Sequence, residues 1–271
     1  MKKYIAIATL LVAGSAFANA GTHYINEGRT TNPDGGEGDV YVVGGGQLFL
    51  NSWTGGSRTP TTFNFDVQLN GAGAANGGEN KFTLRIHEQS TLAGTLTISA
   101  TSNLISSGYE NTISGNIVTS NADATLNVYG EIGGNGGDAT LLKLTGSSIV
   151  LPKLNLLQGA SVSFVSESIS FNTIMGDGAV SFGDGSKINL ALGQTLSISA
   201  ATLTFGSTVV DGSTNLDSVV ESFFTGASVA SVVYTSDTKT LTVQAIPEPA
   251  TFGLLAGLGA LALVGTRRRR R

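Results

Sequence analysis

The most regular feature of the chain is a two-residue alternation of apolar and polar side chains. In "KFTLRIHE" (81–88), Phe82, Leu84 and Ile86 share one face, and Lys81, Thr83, Arg85 and His87 share the other. The same spacing recurs in "TLTISA" (95–100), "TLNVYG" (125–130), "KINLAL" (187–192), "TLSISA" (195–200) and "TLTVQA" (240–245). Alternation of this kind predicts half-buried β-strands, and the Gly, Asn, Asp and Ser clusters between them predict turns. Helical patterning is convincing only at the two ends, so the expected fold class is all-β.

Two architectures suit short strands at close, irregular intervals: an antiparallel β-sandwich and a parallel β-solenoid, or β-helix, whose coils stack into one continuous core. Three features favour the solenoid. The connections are small-residue turns rather than helices. Near-copies such as "GTLTISATS" (94–102) and "QTLSISAAT" (194–202) recur without a strict period. Between 147 and 210, phrases such as "SIVLP", "ASVSF", "ESISF", "GAVSF" and "ATLTF" follow one another about one coil face apart. In texture, though without a diagnostic motif, this region resembles autotransporter passenger domains and related β-helical surface proteins.

The expected organisation is a signal peptide (1–20), an N-terminal cap region (21–80), a solenoid body (81–245) and a C-terminal segment (246–271). Trp53 lies close in sequence to Phe49, Phe63 and Phe65, and an aromatic cluster there would close the first rung of a solenoid, which needs a cap. The alternative is an aromatic platform for sugar. A terminal hairpin is expected from strands near 229–234 and 241–243, turning at Ser236, Asp237 and Thr238.

The two ends read as addresses. "MKKYIAIATLLVAGSAFANA" has two lysines, a short apolar stretch and an A-x-A site at Ala18 and Ala20, the pattern of a secretory signal peptide. Its apolar run is about half of the ~20 residues a spanning helix needs, so export is expected, with the mature chain starting near Gly21. At the other end stands "IPEPATFGLLAGLGALALVGTRRRRR" (246–271). Residues 250–266 carry no charge, and a helix of that length reaches ~25 Å, at the lower edge of a bilayer span. Arg267, Arg268, Arg269, Arg270 and Arg271 would stay cytoplasmic under the positive-inside rule. Pro247 and Pro249 keep Glu248 extended at the opposite membrane face.

This order of Pro247-Glu248-Pro249, apolar helix and arginine cluster resembles the PEP-CTERM sorting signal of exported proteins in Gram-negative bacteria. The resemblance implies recognition by an exosortase, a membrane enzyme that cleaves near the motif. The body would then pass, after transient membrane anchoring, to the cell surface or an extracellular polysaccharide matrix. The alternative is a retained single-pass anchor. Since only Gln244, Ala245 and Ile246 separate Val243 from Pro247, the motif would have almost no stalk.

Composition and charge narrow the body's role. Of 15 Lys+Arg and 19 Asp+Glu, seven basic residues and Glu248 belong to the ends. Residues 21–246 keep 8 basic and 18 acidic side chains, a net charge of −10, which argues against nucleic acid as a partner. With no cysteine, stability rests on packing and backbone pairing, and thiolate chemistry is excluded.

Candidate chemistry is sparse. His23 and His87 are the only histidines, one near the expected mature end and one on the polar face of its strand, so both read as surface residues. "GGNGGDATL" (133–141) matches the calcium β-roll phrase G-G-x-G-x-D-x-U-x at Gly133, Gly134, Gly136 and Asp138. Thr140 stands where the apolar residue belongs and no second copy follows, so a glycine-rich turn is the simpler reading. Arg85 with Glu88, and Lys187 with Asp184, are the carboxylate–cation pairs a glycan-cleaving β-helix would need, and each is equally explained as a charged strand edge. No catalytic, metal or cofactor site is expected. The expected role is a non-enzymatic structural or adhesive surface protein, with a glycan-binding or glycan-cleaving β-helix as the alternative. Expected partners are the secretion translocon, an exosortase-type enzyme, and exopolysaccharide or other surface proteins.

Overall fold

The computed structural model describes residues 21–54, 56–75, 81–130 and 141–246. It is a three-sided parallel β-solenoid, not an antiparallel sandwich. Sheet one has nine strands, from Thr22–Ile25 to Phe224–Gly226. Sheet two has ten, from Arg29–Thr31 to Val229–Thr235, and sheet three has eight, from Thr61–Phe63 to Thr208–Val209. One coil runs through Ile149–Val150 on sheet one, Lys153–Leu157 on sheet two and Ser161–Phe164 on sheet three. It then returns to sheet one at Ile169–Ser170. Ile169 pairs with Ile149 before it and Ile188 after it, so a plain coil takes about 20 residues, the short end of solenoid repeats.

Alternation becomes a core because parallel stacking puts each inward residue directly over its counterpart. On sheet three, Phe63, Leu92, Ile113, Leu144, Phe164, Phe182 and Phe205 form one inward column, and all are buried. The last three rings stack face to face, with centroids 5.0 and 4.9 Å apart and planes within 12° and 10°. Those separations follow the spacing of neighbouring strands, about 4.7–4.9 Å. On the outward face of sheet two, Asn103, Asn127 and Asn155 form a second kind of ladder. Asn127 Nδ2 donates to Asn103 Oδ1 and Asn155 Nδ2 to Asn127 Oδ1, both at 2.9 Å.

Two expectations need correcting. Residues 21–80 are not a separate cap, because they supply strands to all three sheets, and parallel pairing starts where Thr22–Ile25 meets Val40–Val43. The aromatics do not form one cluster. Phe65 is fully buried beside Tyr41 and Phe63, at 4.5 and 5.8 Å. Phe49 lies on the outward side of its strand under Arg85, and Trp53 is exposed on a small hairpin with Ser57–Arg58. The structure also places the near-copies at 94–102 and 194–202 on different faces. Leu96–Ile98 belongs to sheet one and Thr195–Ser199 to sheet two, since any face of a solenoid accepts the same x-L-x-I phrase.

The far end is closed by an insertion and a reversal. After Thr208–Val209 the helix Leu216–Phe223 begins, capped by Asn215, whose side chain accepts the Asp217 N–H. Phe223 and Phe224 pack on Phe205, at 5.1 and 6.1 Å. Lys187 Nζ donates to the carbonyl of Ser222 near the helix C-terminus, where a cation is favourable. The expected terminal hairpin follows. Thr240–Ala245 lies antiparallel between Thr195–Ser199 and Val229–Thr235.

Gln47 breaks the pattern of satisfied polar groups. Its side chain is buried, and neither its amide nitrogen nor its oxygen has a hydrogen-bond partner. Leaving an amide unsatisfied costs roughly 1–3 kcal/mol. Gln47→Met, which keeps the length of the side chain, should therefore raise the unfolding free energy by about that amount in a urea titration. A loss of stability would mean that a buried water satisfies the amide.

Candidate functional site

Three places bring chemistry-bearing residues together, and the first is the C-terminal junction. Thr240–Ala245 is an interior strand of sheet two, with Leu241, Val243 and Ala245 fully buried. Pairing continues to its last residues. Ala245 N–H donates to Gln194 O at 2.9 Å, Ile246 N–H to Ser228 O at 2.8 Å, and Gly193 N–H to Ile246 O at 3.2 Å. Ile246 is thus tied on both sides one residue before Pro247.

The second place is the outward face of sheet two near the start of the solenoid. Arg85 and Arg29 lie over the ring of Phe49, with centroid distances of 4.8 and 5.3 Å. Arg85 Nε donates to Ser107 Oγ at 3.2 Å, and His87 Nδ1 shares a 2.7 Å hydrogen bond with the same hydroxyl. His87 Nε2 is 3.5 Å from Glu88 Oε1. Serine, histidine and glutamate therefore meet, which the sequence pattern does not foretell; Ser107 is a coil away from His87 and only the register unites them. Ser107 is fully buried, so its hydroxyl is not placed to attack a substrate from solvent. The neighbours continue inward as a network in which Asn111 Nδ2 reaches Ser106 Oγ and the carbonyls of Ser107 and Tyr109. Glu88 and Gln89, at φ 56° and 64°, make the corner in the left-handed region. The alternation places His87 at the surface, yet most of its side chain is covered.

The third is a groove of about 970 Å³ along the corner between sheets three and one, walled by the loop that carries Asp34 and Glu37. Its floor is smooth because coils approach closely there: a Cβ on Gly115 would lie 1.9 Å from Gly94 O, and one on Gly146 would lie 2.1 Å from Gly115 O. Polar side chains at this corner tie one coil to the next. Asp66 Oδ1 accepts the Thr95 N–H at 2.7 Å, and Asn116 Oδ1 accepts the Ser148 N–H at 3.0 Å. At the first rung Asp39 does the same, taking the Gly21 N–H at 2.7 Å and the Gly36 N–H at 2.8 Å. The bonds from Gly36 and Gly21 hold its carboxyl below the usual range.

A family model described as the PEP-CTERM protein-sorting motif matches residues 245–270. The chain carries that sorting motif. It implies export, transient membrane anchoring and processing by an exosortase. No curated protein and no solved structure matches the chain. Pro247, Glu248, Pro249 and the five arginines of the PEP-CTERM segment lie outside the described residues, as do Ala18, Ala20 and the 133–140 stretch of the calcium-like phrase. Among the described residues no helix is long and apolar enough to cross a membrane. The expected signal and membrane helices both fall outside them.

The PEP-CTERM match begins at Ala245, which is still inside the sheet. An extended substrate strand cannot occupy a protease cleft while its neighbouring residues pair with Gln194, Ser228 and Gly193. A flexible Gly-Ser linker of six to eight residues inserted after Ile246 adds about 20 Å of reach and should speed maturation in a pulse-chase experiment. An unchanged rate would show that the junction does not limit processing.

Proposed function

We propose that this is an exosortase-sorted protein of the cell surface or extracellular matrix, whose solenoid body has a structural or adhesive role rather than an enzymatic one. The observation that carries the reading is the union of a sorting motif with a body built for backbone pairing. The motif joins the last paired strand directly, and the polar residues outside are mostly short Ser, Thr and Asn side chains that bond from coil to coil. Among the described residues, the constellation resembling a catalytic triad has its hydroxyl buried under Arg85 and His87. On this reading the partners are the secretion translocon, then the processing enzyme, then exopolysaccharide or neighbouring surface proteins. The corner groove, long and polar, is the place where a glycan chain would lie, and it is the observation that favours glycan binding as the alternative role.

Intact-mass measurement on protein recovered from the surface or matrix fraction tests the reading. The expected product has lost Arg271 and ends near residues 246–250. An intact Arg271 would instead make the chain a retained membrane protein.

A further inference from the structure

The first rung of the solenoid begins at Gly21, the residue that follows the expected signal peptide (1–20). Gly21 is held on both sides. Its carbonyl accepts the Val40 N–H at 2.9 Å, and its own nitrogen donates to Asp39 Oδ1 at 2.7 Å. Asp39 is held by other bonds besides that contact: its other oxygen accepts the Gly36 N–H, and its backbone N–H donates to Gly36 O at 3.1 Å. The space around Gly21 is small: a Cβ there would lie 2.9 Å from His23 Nε2 and 3.3 Å from Asp39 Oδ1. His23 in turn stacks on Tyr41, with ring centroids 4.7 Å apart.

We propose that removal of the signal peptide after Ala20 turns the Gly21–Asp39 hydrogen bond into an ion pair that locks the first coil. In the cleavage, water adds across the Ala20–Gly21 peptide bond. Ala20 leaves as a carboxylate and Gly21 becomes an ammonium, still facing Asp39 Oδ1. Before cleavage the contact is a neutral N–H to a carboxylate, charge-assisted on the acceptor side alone; afterwards both partners are ionised, and the attraction between two opposite unit charges is added. The inference rests on the reading of Ala18 and Ala20 as the cleavage signal.

The groups facing the pair are His23 on the same strand, with Nε2 3.8 Å from Asp39 Oδ1, Tyr41 on the neighbouring strand, and Asp34 in the preceding loop. Asp39 and Asp34 add to burial in pushing the Tyr41 hydroxyl up, so Tyr41 stays neutral and adds no charge at physiological pH. The sign of the pH dependence follows. An ammonium raised above the ordinary α-amino range of about 7.7–8.0 contributes stability that is present below that range and lost as pH rises through the raised value. Asp39, held low, contributes stability that is lost as pH falls through its own lowered value.

The test uses the exported, processed protein. Its intact mass establishes whether Gly21 is the first residue, and a different start would overturn the proposal by removing the cleavage on which it rests. With Gly21 first, amine acylation is followed against pH by mass spectrometry of the N-terminal peptide. The wild-type midpoint should lie about one unit above the ordinary α-amino range, so that labelling at pH 7 is about tenfold slower than in Asp39→Asn. A second variant inserts one alanine before Gly21 and displaces the ammonium by about 3.8 Å with Asp39 intact; it too should label at the ordinary rate. Wild-type labelling equal to either folded variant would overturn the lock.

Discussion

Each coil of this protein can bury its inward side chains only against the coil before it and the coil after it. Continuous parallel register is therefore the constraint on which everything else depends. It turns an ordinary alternation into columns such as the one that ends in Phe164, Phe182 and Phe205. It also sets the chemistry outside, since a side chain repeated at one position meets its own kind a strand spacing away. The three asparagines of sheet two are the clearest case. Insertions are tolerated where they leave the register alone, as the Trp53 hairpin and the Leu216–Phe223 helix do.

A stack of this kind has two open ends. At the start, Gly21 lies on the first rung, bonded to Val40 and Asp39. At the finish, the chain reverses direction, and Thr240–Ala245 enters sheet two as an interior antiparallel strand. The sorting motif match begins on its last residue. At this end the paired strand runs into the matched segment with no intervening stalk. Processing at the sorting motif therefore takes place next to the last rung.

Much of this was legible in the sequence, and the rest was hidden for physical reasons. Alternation named the strands, and small-residue turns favoured the solenoid. The order Pro247-Glu248-Pro249, apolar run and arginines identified the sorting motif without any structure. What alternation cannot say is which of three faces a strand joins, because every face asks for the same inward apolar residue. That is why the copies at 94–102 and 194–202 look equivalent and are not. The strands of 21–80 were obscured for a different reason, inserted hairpins and a richer aromatic content. The meeting of Ser107 with His87 depends on pairing between coils, which no local pattern encodes. Its one sequence signal is the polar run "SSGYEN" (106–111), where an inward residue is expected to be apolar and Asn111 is instead buried.

The claim that the sorting motif is set directly against a folded rung is tested most directly by hydrogen exchange at the last residues of the body. If the rung extends to the motif, the amides of Ala245 and Ile246, bonded to Gln194 and Ser228, should exchange as slowly as that of Val243 in the middle of the strand. Exchange at the rate of an unstructured chain would contradict it, because the motif would then hang from a loose tether and the last rung would end before it.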